Sequence, residues 1–258
     1  MFKKQSSTLL YRASASHGKN PRASAQRFTT SASKGQSSRR IGIWDVDVNA
    51  GFLYRVLDIL NHRQKLFKFQ RIEATVPMGL TIAGTRTREI AKQYGSDPEN
   101  PDITKNTFAG DILKVARPMV KSLQVDLLVC VVAPMIMARL TKAADGKDGI
   151  GWNFFSISYD DVAIVSAYNL RNYATNANRP FEASLAAVVL GAVLAAVFNK
   201  VEFHVETRGC ILDYCDNRDD VVEMLRAIDI CQESLAQVPE SAQDAVRKML
   251  NAIKEYQR

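Results

Sequence analysis

Histidine is scarce in this chain of 258 residues, which contains only His17, His62 and His204. His17 lies in an N-terminal segment of unusual composition, so two histidines remain for the rest of the chain. This excludes any site that needs three histidines from the body of the protein. The four cysteines are too few for a disulfide framework in a chain of this length. They favour a reducing compartment, and we expect a cytoplasmic protein.

Glycine-rich phosphate and oxyanion motifs are also missing. The chain contains no Walker A loop, no G-x-G-x-x-G and no G-x-S-x-G. Because the glycines of such motifs bring backbone amides to a phosphate or an oxyanion, their absence disfavours a kinase, a P-loop NTPase, a Rossmann dehydrogenase and an α/β-hydrolase. The apolar run Leu185–Phe198 has fourteen residues, fewer than the ~20 that span a bilayer. We therefore expect no membrane span and a buried central helix.

Acidic residues are absent from residues 1–40, which carry nine Lys or Arg and twelve Ser or Thr. Residues 41–258 carry the other 25 basic residues and all 27 acidic ones. The net charge of +7 therefore belongs to the N-terminal segment. Because a segment of this composition buries little apolar surface, we predict a disordered basic tail over 1–40 and one globular domain over 41–258.

The function of the tail stays open between three alternatives. It is a solvated leader, an organelle transit peptide, or a basic arm that binds nucleic acid or an acidic partner. The second alternative would place the protein in an organelle instead of the cytoplasm. No apolar region typical of a secretory signal is present.

Hydrophobic periodicity predicts alternating strands and helices in the body. Strands are expected over 41–48, 66–76, 125–132, 153–158, 162–166 and 201–205. Helices are expected over 50–61, 85–94, 111–122, 185–198, 219–230 and 243–256. Pro118 should kink or end its helix. The alternation predicts an α/β or α+β fold with a mixed sheet around the buried apolar helix.

A pair of carboxylates is the first candidate site. Asp45 and Asp47 are two residues apart near the end of a predicted strand, so both side chains point to one face and could hold Mg²⁺. The stretch resembles the D-x-D motif of haloacid-dehalogenase phosphatases. Asn49 and the acidic pair Asp160-Asp161 depart from that family's pattern. The alternative is that the carboxylates cap the next helix or pair with Arg55.

A histidine and three cysteines form the second candidate site. His204, Cys210, Cys215 and Cys231 lie within 28 residues of one another. Imidazole and thiolate together suit tetrahedral Zn²⁺. Asp213 could orient His204 or serve as a further ligand. The alternatives are half-buried thiols beside a hydrogen-bonded histidine, or a reactive cysteine.

The order of these features is similar to that of the archaemetzincin-like zinc proteases. A buried helix is followed by His204, by Cys210-Ile211-Leu212-Asp213-Tyr214-Cys215, and by Ile230-Cys231-Gln232-Glu233-Ser234-Leu235. In that family a zinc-binding helix leads to His-Cys, to a second Cys four residues on, and to a later Cys-x-x-Cys. The resemblance covers about residues 125–235 and implies a zincin-like fold.

Three departures bear on catalysis. The family's helix carries H-E-x-x-H, whereas the matching stretch here is Val188-Val189-Leu190-Gly191-Ala192-Val193. Five residues separate His204 from Cys210, and the last Cys-x-x-Cys has become Cys231-Gln232-Glu233-Ser234. The resemblance then implies a domain that has lost its catalytic metal. We expect a non-catalytic regulatory, sensing or scaffolding protein, a pseudoprotease that acts through a protein partner or a larger assembly.

Two other functions stay open. One is a metal-dependent hydrolase that uses Asp45 and Asp47 or the His204/cysteine cluster. The other is a nucleic-acid accessory factor that acts through residues 1–40. Arg208, in the short Thr207-Arg208-Gly209 segment, is a candidate for binding an anion. Its alternative is a salt bridge to a neighbouring carboxylate.

Overall fold

The computed structural model of the protein describes residues 38–80, 83–140, 149–215, 217 and 219–257. The strands are β1 (Arg39–Asp45), β2 (Phe67–Ile72), β3 (Asn106–Phe108), β4 (Leu127–Val132), β5 (Met135–Leu140), β6 (Gly149–Phe154), β7 (Ser156–Ser158) and β8 (Val162–Ser166). The helices are α1 (Leu53–Arg63), α2 (Thr85–Gln93), α3 (Pro101–Thr104), α4 (Ala109–Ser122), α5 (Leu170–Asn176), α6 (Phe181–Val197), α7 (Asp220–Ala227), α8 (Gln232–Gln237) and α9 (Glu240–Glu255).

The main sheet has five strands in the order β2-β1-β4-β8-β7. The first four strands run parallel, and β7 pairs antiparallel with β8 at the edge. A smaller sheet has the order β3-β5-β6, with one parallel and one antiparallel pairing. The fold is therefore α/β with mixed sheets, as the alternation of elements predicts.

Strand β4 shows how the main sheet is covered on both faces. Its side chains alternate between two hydrophobic cores. Leu127 and Val129 belong to the core that contains α1, α6 and α9, whereas Leu128 and Cys130 belong to the core that contains α4. A strand buried on both faces needs a continuous apolar run, which explains the sequence of β4.

Helix α6 is the buried apolar helix that the sequence predicts. Every residue from Phe181 to Leu194 is buried, and the helix packs in the same core as α1 and α9. Among the described residues, no single helix is both long and apolar enough to cross a membrane. The bent pair α5 and α6 meets that test by length and composition when taken together. The chain after α6 returns to this core and builds the site described below.

Local differences from the predicted elements have physical causes. Helix α4 continues through Pro118 to Ser122. Pro118 is exposed, and so is Lys114, whose carbonyl group loses its N–H partner at the proline. The strand expected over 201–205 is reduced to an isolated bridge at His204. The sequences of β5 and of the six-residue α8 show no clear hydrophobic periodicity. The sequence therefore predicts neither element.

The described chain enters β1 at Arg39. Residues 1–37, which make up most of the predicted basic tail, lie outside the described residues. The proposed disorder of that tail, its nucleic-acid binding and its targeting role stay predictions. The domain boundary at residue 41 stays a prediction as well.

Candidate metal centre

Backbone pairing places His204 beside the loop that carries the cysteines. The N–H of His204 donates to the carbonyl of Leu212 at 3.0 Å, and the N–H of Tyr214 donates to the carbonyl of His204 at 2.9 Å. These bonds form a parallel bridge between His204 and Asp213. The imidazole and the Asp213 carboxylate consequently lie on one side of the pairing.

A tight turn presents Cys210. The N–H of Asp213 donates to the carbonyl of Cys210 at 2.9 Å, and Gly209 before the turn has a φ of 74°. Glycine adopts this left-handed backbone without a Cβ clash. The Asp213 Oδ2 atom accepts hydrogen bonds from the N–H groups of Arg208 and Cys210 at 3.0 and 2.9 Å. The buried carboxylate therefore fixes the shape of the loop.

The third segment brings Cys231 to the same place. Cys210 pairs with Asp229 in a second isolated bridge, and the N–H of Ile211 donates to the carbonyl of Asp229 at 2.8 Å. Two residues later, Cys231 caps the start of α8, where its Sγ accepts the N–H of Ser234 at 3.4 Å. Backbone pairing therefore holds both cysteines in fixed positions.

The ligand atoms of His204, Cys210 and Cys231 all lie within 4.8 Å of one another. The Nε2 atom of His204 is 3.6 Å from the Sγ atom of Cys231. Tetrahedral zinc with ordinary Zn–N and Zn–S bonds requires a nitrogen-to-sulfur separation of about 3.6 Å. Among the described residues, this trio is the group of His, Cys, Asp and Glu side chains that could hold a metal ion.

The hydrogen bonds of His204 orient its ring for a metal. Its Nδ1 atom lies 2.8 Å from the carbonyl oxygen of Glu206. Because a carbonyl oxygen only accepts, Nδ1 must carry the proton, and in the neutral ring Nε2 keeps its lone pair toward Cys231. The Asp213 Oδ1 atom lies 3.3 Å from Nδ1 on a fully buried side chain and has no hydrogen-bond partner. Metal-bound histidines commonly have a carboxylate or carbonyl in this position.

The sulfur atoms have donors that stabilise thiolates. Cys210 Sγ accepts the N–H groups of Leu212 and Cys231, each at 3.4 Å. Burial nevertheless raises the pKa of the Cys210 thiol to about 11. For Cys231, partial burial also raises the pKa, but hydrogen bonds from Ser234 and Cys210 and the charge of His204 outweigh it and bring the pKa to about 7. Cys231 is therefore the thiol that most readily becomes a ligand at neutral pH.

Cys215 and Asp213 stand outside the trio. Cys215 is buried with a φ of 53°. Burial and the neighbouring Asp213 carboxylate raise the pKa of its thiol to about 12. Asp213 faces His204 from behind the ring and so occupies the orienting position instead of the ligand position. Cys130 is completely buried in β4, and its burial raises its pKa strongly.

Arg208, the predicted anion-binding residue, forms ion pairs with Glu206 and Glu233. Glu206 follows His204 by two residues, and Glu233 follows Cys231 by two residues. Hydrogen bonding to Arg208 lowers the pKa of the exposed Glu206 carboxyl. Arg208 therefore links the histidine loop to the start of α8. It also lines a surface depression of about 530 Å³ together with Thr207, Gly209, Glu223, Arg226 and Ala227.

The carboxylates of Asp45 and Asp47 bind backbone N–H groups. Asp45 accepts the N–H groups of Val48, Asn49 and Ala50 at 2.6–3.2 Å. Asp47 accepts the N–H of Ala133 at 2.7 Å. This arrangement holds the turn between β1 and α1. The bonded N–H groups precede α1, whose N-terminus has no side-chain cap, so the structure differs from the helix cap given above as an alternative. Neither residue belongs to the metal-ligand trio.

Two residues important for this centre carry no functional motif. A Cβ atom on Gly191 would lie 2.5 Å from the carbonyl oxygen of Ile211, so this glycine lets α6 approach the Cys210 turn. The Ser234 hydroxyl lies 3.1 Å from Cys231 Sγ and 3.8 Å from Cys210 Sγ. The spacing Cys231-x-x-Ser234 is the only sequence feature that could have indicated the serine.

The expectation of a non-catalytic regulatory, sensing or scaffolding pseudoprotease is wrong. That expectation followed from the missing motifs and from an apolar helix where catalytic residues would lie. The structure instead brings together, from separate segments after that helix, three side chains that could hold a metal ion. A metal-dependent hydrolase at the His204/cysteine cluster accounts for this arrangement better. Zinc suits the nitrogen and sulfur donors present.

No protein-family model matches this chain, and neither does any curated protein. Two solved structures are similar to it. One is archaemetzincin from Methanopyrus kandleri, at 11% identity and a TM-score of 0.44, over 84% of this chain and 98% of that one. The other is a zinc-dependent peptidase from Methanocorpusculum labreanum (strain Z), at 16% identity and a TM-score of 0.40, over 77% of this chain and 98% of that one. The weak resemblance to archaemetzincin-like domains that the sequence predicts is confirmed.

Proposed function

We propose that the protein is a zinc-dependent hydrolase whose metal is held by His204, Cys210 and Cys231. The observation that carries the proposal is the convergence of these three ligand atoms within 4.8 Å. Catalytic zinc sites use three protein ligands, whereas structural sites use four. A trio therefore leaves one position for water or substrate.

Residues around the trio support the same function. The carbonyl of Glu206 and the carboxylate of Asp213 hold the His204 ring with Nε2 turned toward Cys231. Arg208 holds the Glu206 and Glu233 carboxylates next to the ligand segments. In this proposal one of these two carboxylates accepts the proton of the attacking water. Bound zinc would supply a Lewis acid that polarises a carbonyl and acidifies water.

Metal content of the purified, untagged protein is the first test. We expect near-stoichiometric zinc in the wild type and its loss in Cys231→Ser. Cys215→Ser is the matched control, because Cys215 is a neighbouring cysteine outside the trio. Absence of zinc from the wild type, or equal loss in the control, would contradict the metal site.

Hydrolysis is tested separately on the zinc-loaded protein. A panel of chromogenic esters, phosphate esters and peptides should contain a substrate whose turnover stops with chelator and returns with zinc. Cys231→Ser should lack that turnover. Glu206→Gln and Glu233→Gln identify the proton acceptor, because only the variant of the true acceptor should lose kcat while keeping its zinc. Zinc binding without chelator-sensitive turnover of any substrate would reject the hydrolase and keep the metal site.

A further inference from the structure

The two ligand cysteines lie close enough to react with each other. Their sulfur atoms are within 4.8 Å, and both are thiols. The N–H of Cys231 donates to Cys210 Sγ at 3.4 Å. The bridge between Cys210 and Asp229 fixes the two backbone segments side by side. Formation of a bond between the sulfurs therefore requires side-chain movement more than movement of the chain.

The two thiols differ in their access to solvent. Cys210 is 1% exposed, whereas Cys231 is partly exposed at the start of α8. A small oxidant would therefore meet Cys231 first. The buried Cys210 sulfur lies within 4.8 Å of the Cys231 sulfur and could react with it once Cys231 is oxidised. The other two cysteines, Cys130 and Cys215, are buried.

We propose that Cys231 is an oxidation site for hydroperoxides and that Cys210 resolves it to an intramolecular disulfide. The Cys231 thiolate attacks one peroxide oxygen, the O–O bond breaks, and Cys231 becomes a sulfenic acid while hydroxide or alkoxide leaves. The Cys210 sulfur then attacks the Cys231 sulfur, the S–O bond breaks and water leaves. The two cysteines lose two electrons, and the peroxide gains them.

The proposal deepens the proposed function as a means of regulating the same centre. A disulfide removes two of the three metal ligands, so peroxide would release the metal and a thiol reductant would restore the site. Bound metal occupies both sulfurs and would slow the oxidation. The disulfide itself forms from the metal-free protein and depends on the two thiols alone.

Peptide mapping of the metal-stripped protein tests the proposal. The full chain is treated with hydrogen peroxide, blocked with an alkylating agent, digested with trypsin without reduction and analysed by mass spectrometry. We expect peptide 209–218 to be linked to peptide 227–247, and dithiothreitol to separate them. Because peptide 209–218 also contains Cys215, the experiment is repeated in Cys215→Ser, where the linkage must persist.

Further variants identify the order of events. Cys231→Ser should show no sulfenic acid by dimedone labelling and no linkage. Cys210→Ser should accumulate dimedone-reactive Cys231, and its circular dichroism spectrum shows whether it is folded. Wild-type protein that gives sulfinic acid at Cys231 without linkage, or linkage through Cys215, would overturn the proposal.

The outcomes separate this proposal from the proposed function. A linkage in a protein that never binds zinc would reject the metal centre and support the oxidation site. If the purified wild type contains stoichiometric zinc but the metal-stripped protein forms no linkage, the metal centre is supported and the oxidation site is rejected. If both hold, zinc-loaded protein should become linked more slowly than stripped protein under the same peroxide treatment.

Discussion

The contact between α6 and the Cys210 turn gives the sharpest test of how the core positions the metal centre. Gly191 lies in the middle of α6, and the carbonyl oxygen of Ile211 lies against it. A Cβ atom at position 191 would be 2.5 Å from that oxygen, which is shorter than the 3.0 Å minimum for contacts of real Cβ atoms. In Gly191→Ala the turn must therefore move away from the helix by at least 0.5 Å.

Two opposing terms set the size of the effect. Alanine stabilises a helix interior by about 1 kcal/mol relative to glycine. Overpacking of a well-packed core costs about 1–3 kcal/mol. Because the obstructing atom belongs to the backbone and not to a flexible side chain, we expect the second term to dominate. The free energy of unfolding should then fall by up to about 2 kcal/mol. Zinc affinity should fall with it, since Ile211 follows Cys210, a proposed zinc ligand.

Urea denaturation of the metal-stripped protein, followed by zinc titration, measures both quantities. Gly51→Ala is the control, because no atom lies within 4 Å of its built Cβ and its φ is not positive. It should leave zinc affinity unchanged. A Gly191→Ala protein that is more stable than the wild type by about the helix-propensity term, with unchanged zinc affinity, would refute the reasoning.

Three further predictions concern individual side chains. Asp213→Asn should keep the fold but weaken zinc binding about 10–100-fold in competition with a chromophoric chelator, since it removes the charge behind His204. Alkylation of Cys231 in stripped protein should accelerate as pH rises through about 7, because the thiolate reacts; a midpoint near an ordinary thiol's would contradict this. Asp45→Ala should lower the free energy of unfolding by about 1–3 kcal/mol and leave zinc content unchanged; lost zinc would restore Asp45 as a ligand.

Much of the fold could be predicted from hydrophobic patterns. The apolar run of β4 and the all-apolar surface of α6 specify elements buried on every side, and both are found where expected. Ends of elements were harder to place. The strand predicted at 201–205 pairs only at His204, because its partner segment turns immediately at Cys210–Asp213.

The sequence predicts which types of residue form the candidate site, but not which individual residues belong to it. Spacing alone treats Cys210, Cys215 and Cys231 alike. The structure separates them because Cys215 lies beyond the Asp213 bridge, whereas the pairing of Cys210 with Asp229 brings Cys231 close. Pairing between residues distant in sequence, and the space left by Gly191, cannot be read from one local pattern.

The proposed metal centre and the proposed oxidation site depend on the same structural feature. Backbone pairing holds two sulfur atoms at a spacing that a metal can bridge. The same spacing permits a sulfur–sulfur bond once the metal is gone. Because a sulfur that donates an electron pair to zinc reacts more slowly with peroxide, metal and oxidant compete for the same two thiols. The zinc concentration that protects the thiols should therefore equal the zinc concentration that fills the site, and a titration that follows both signals on one sample tests that equality.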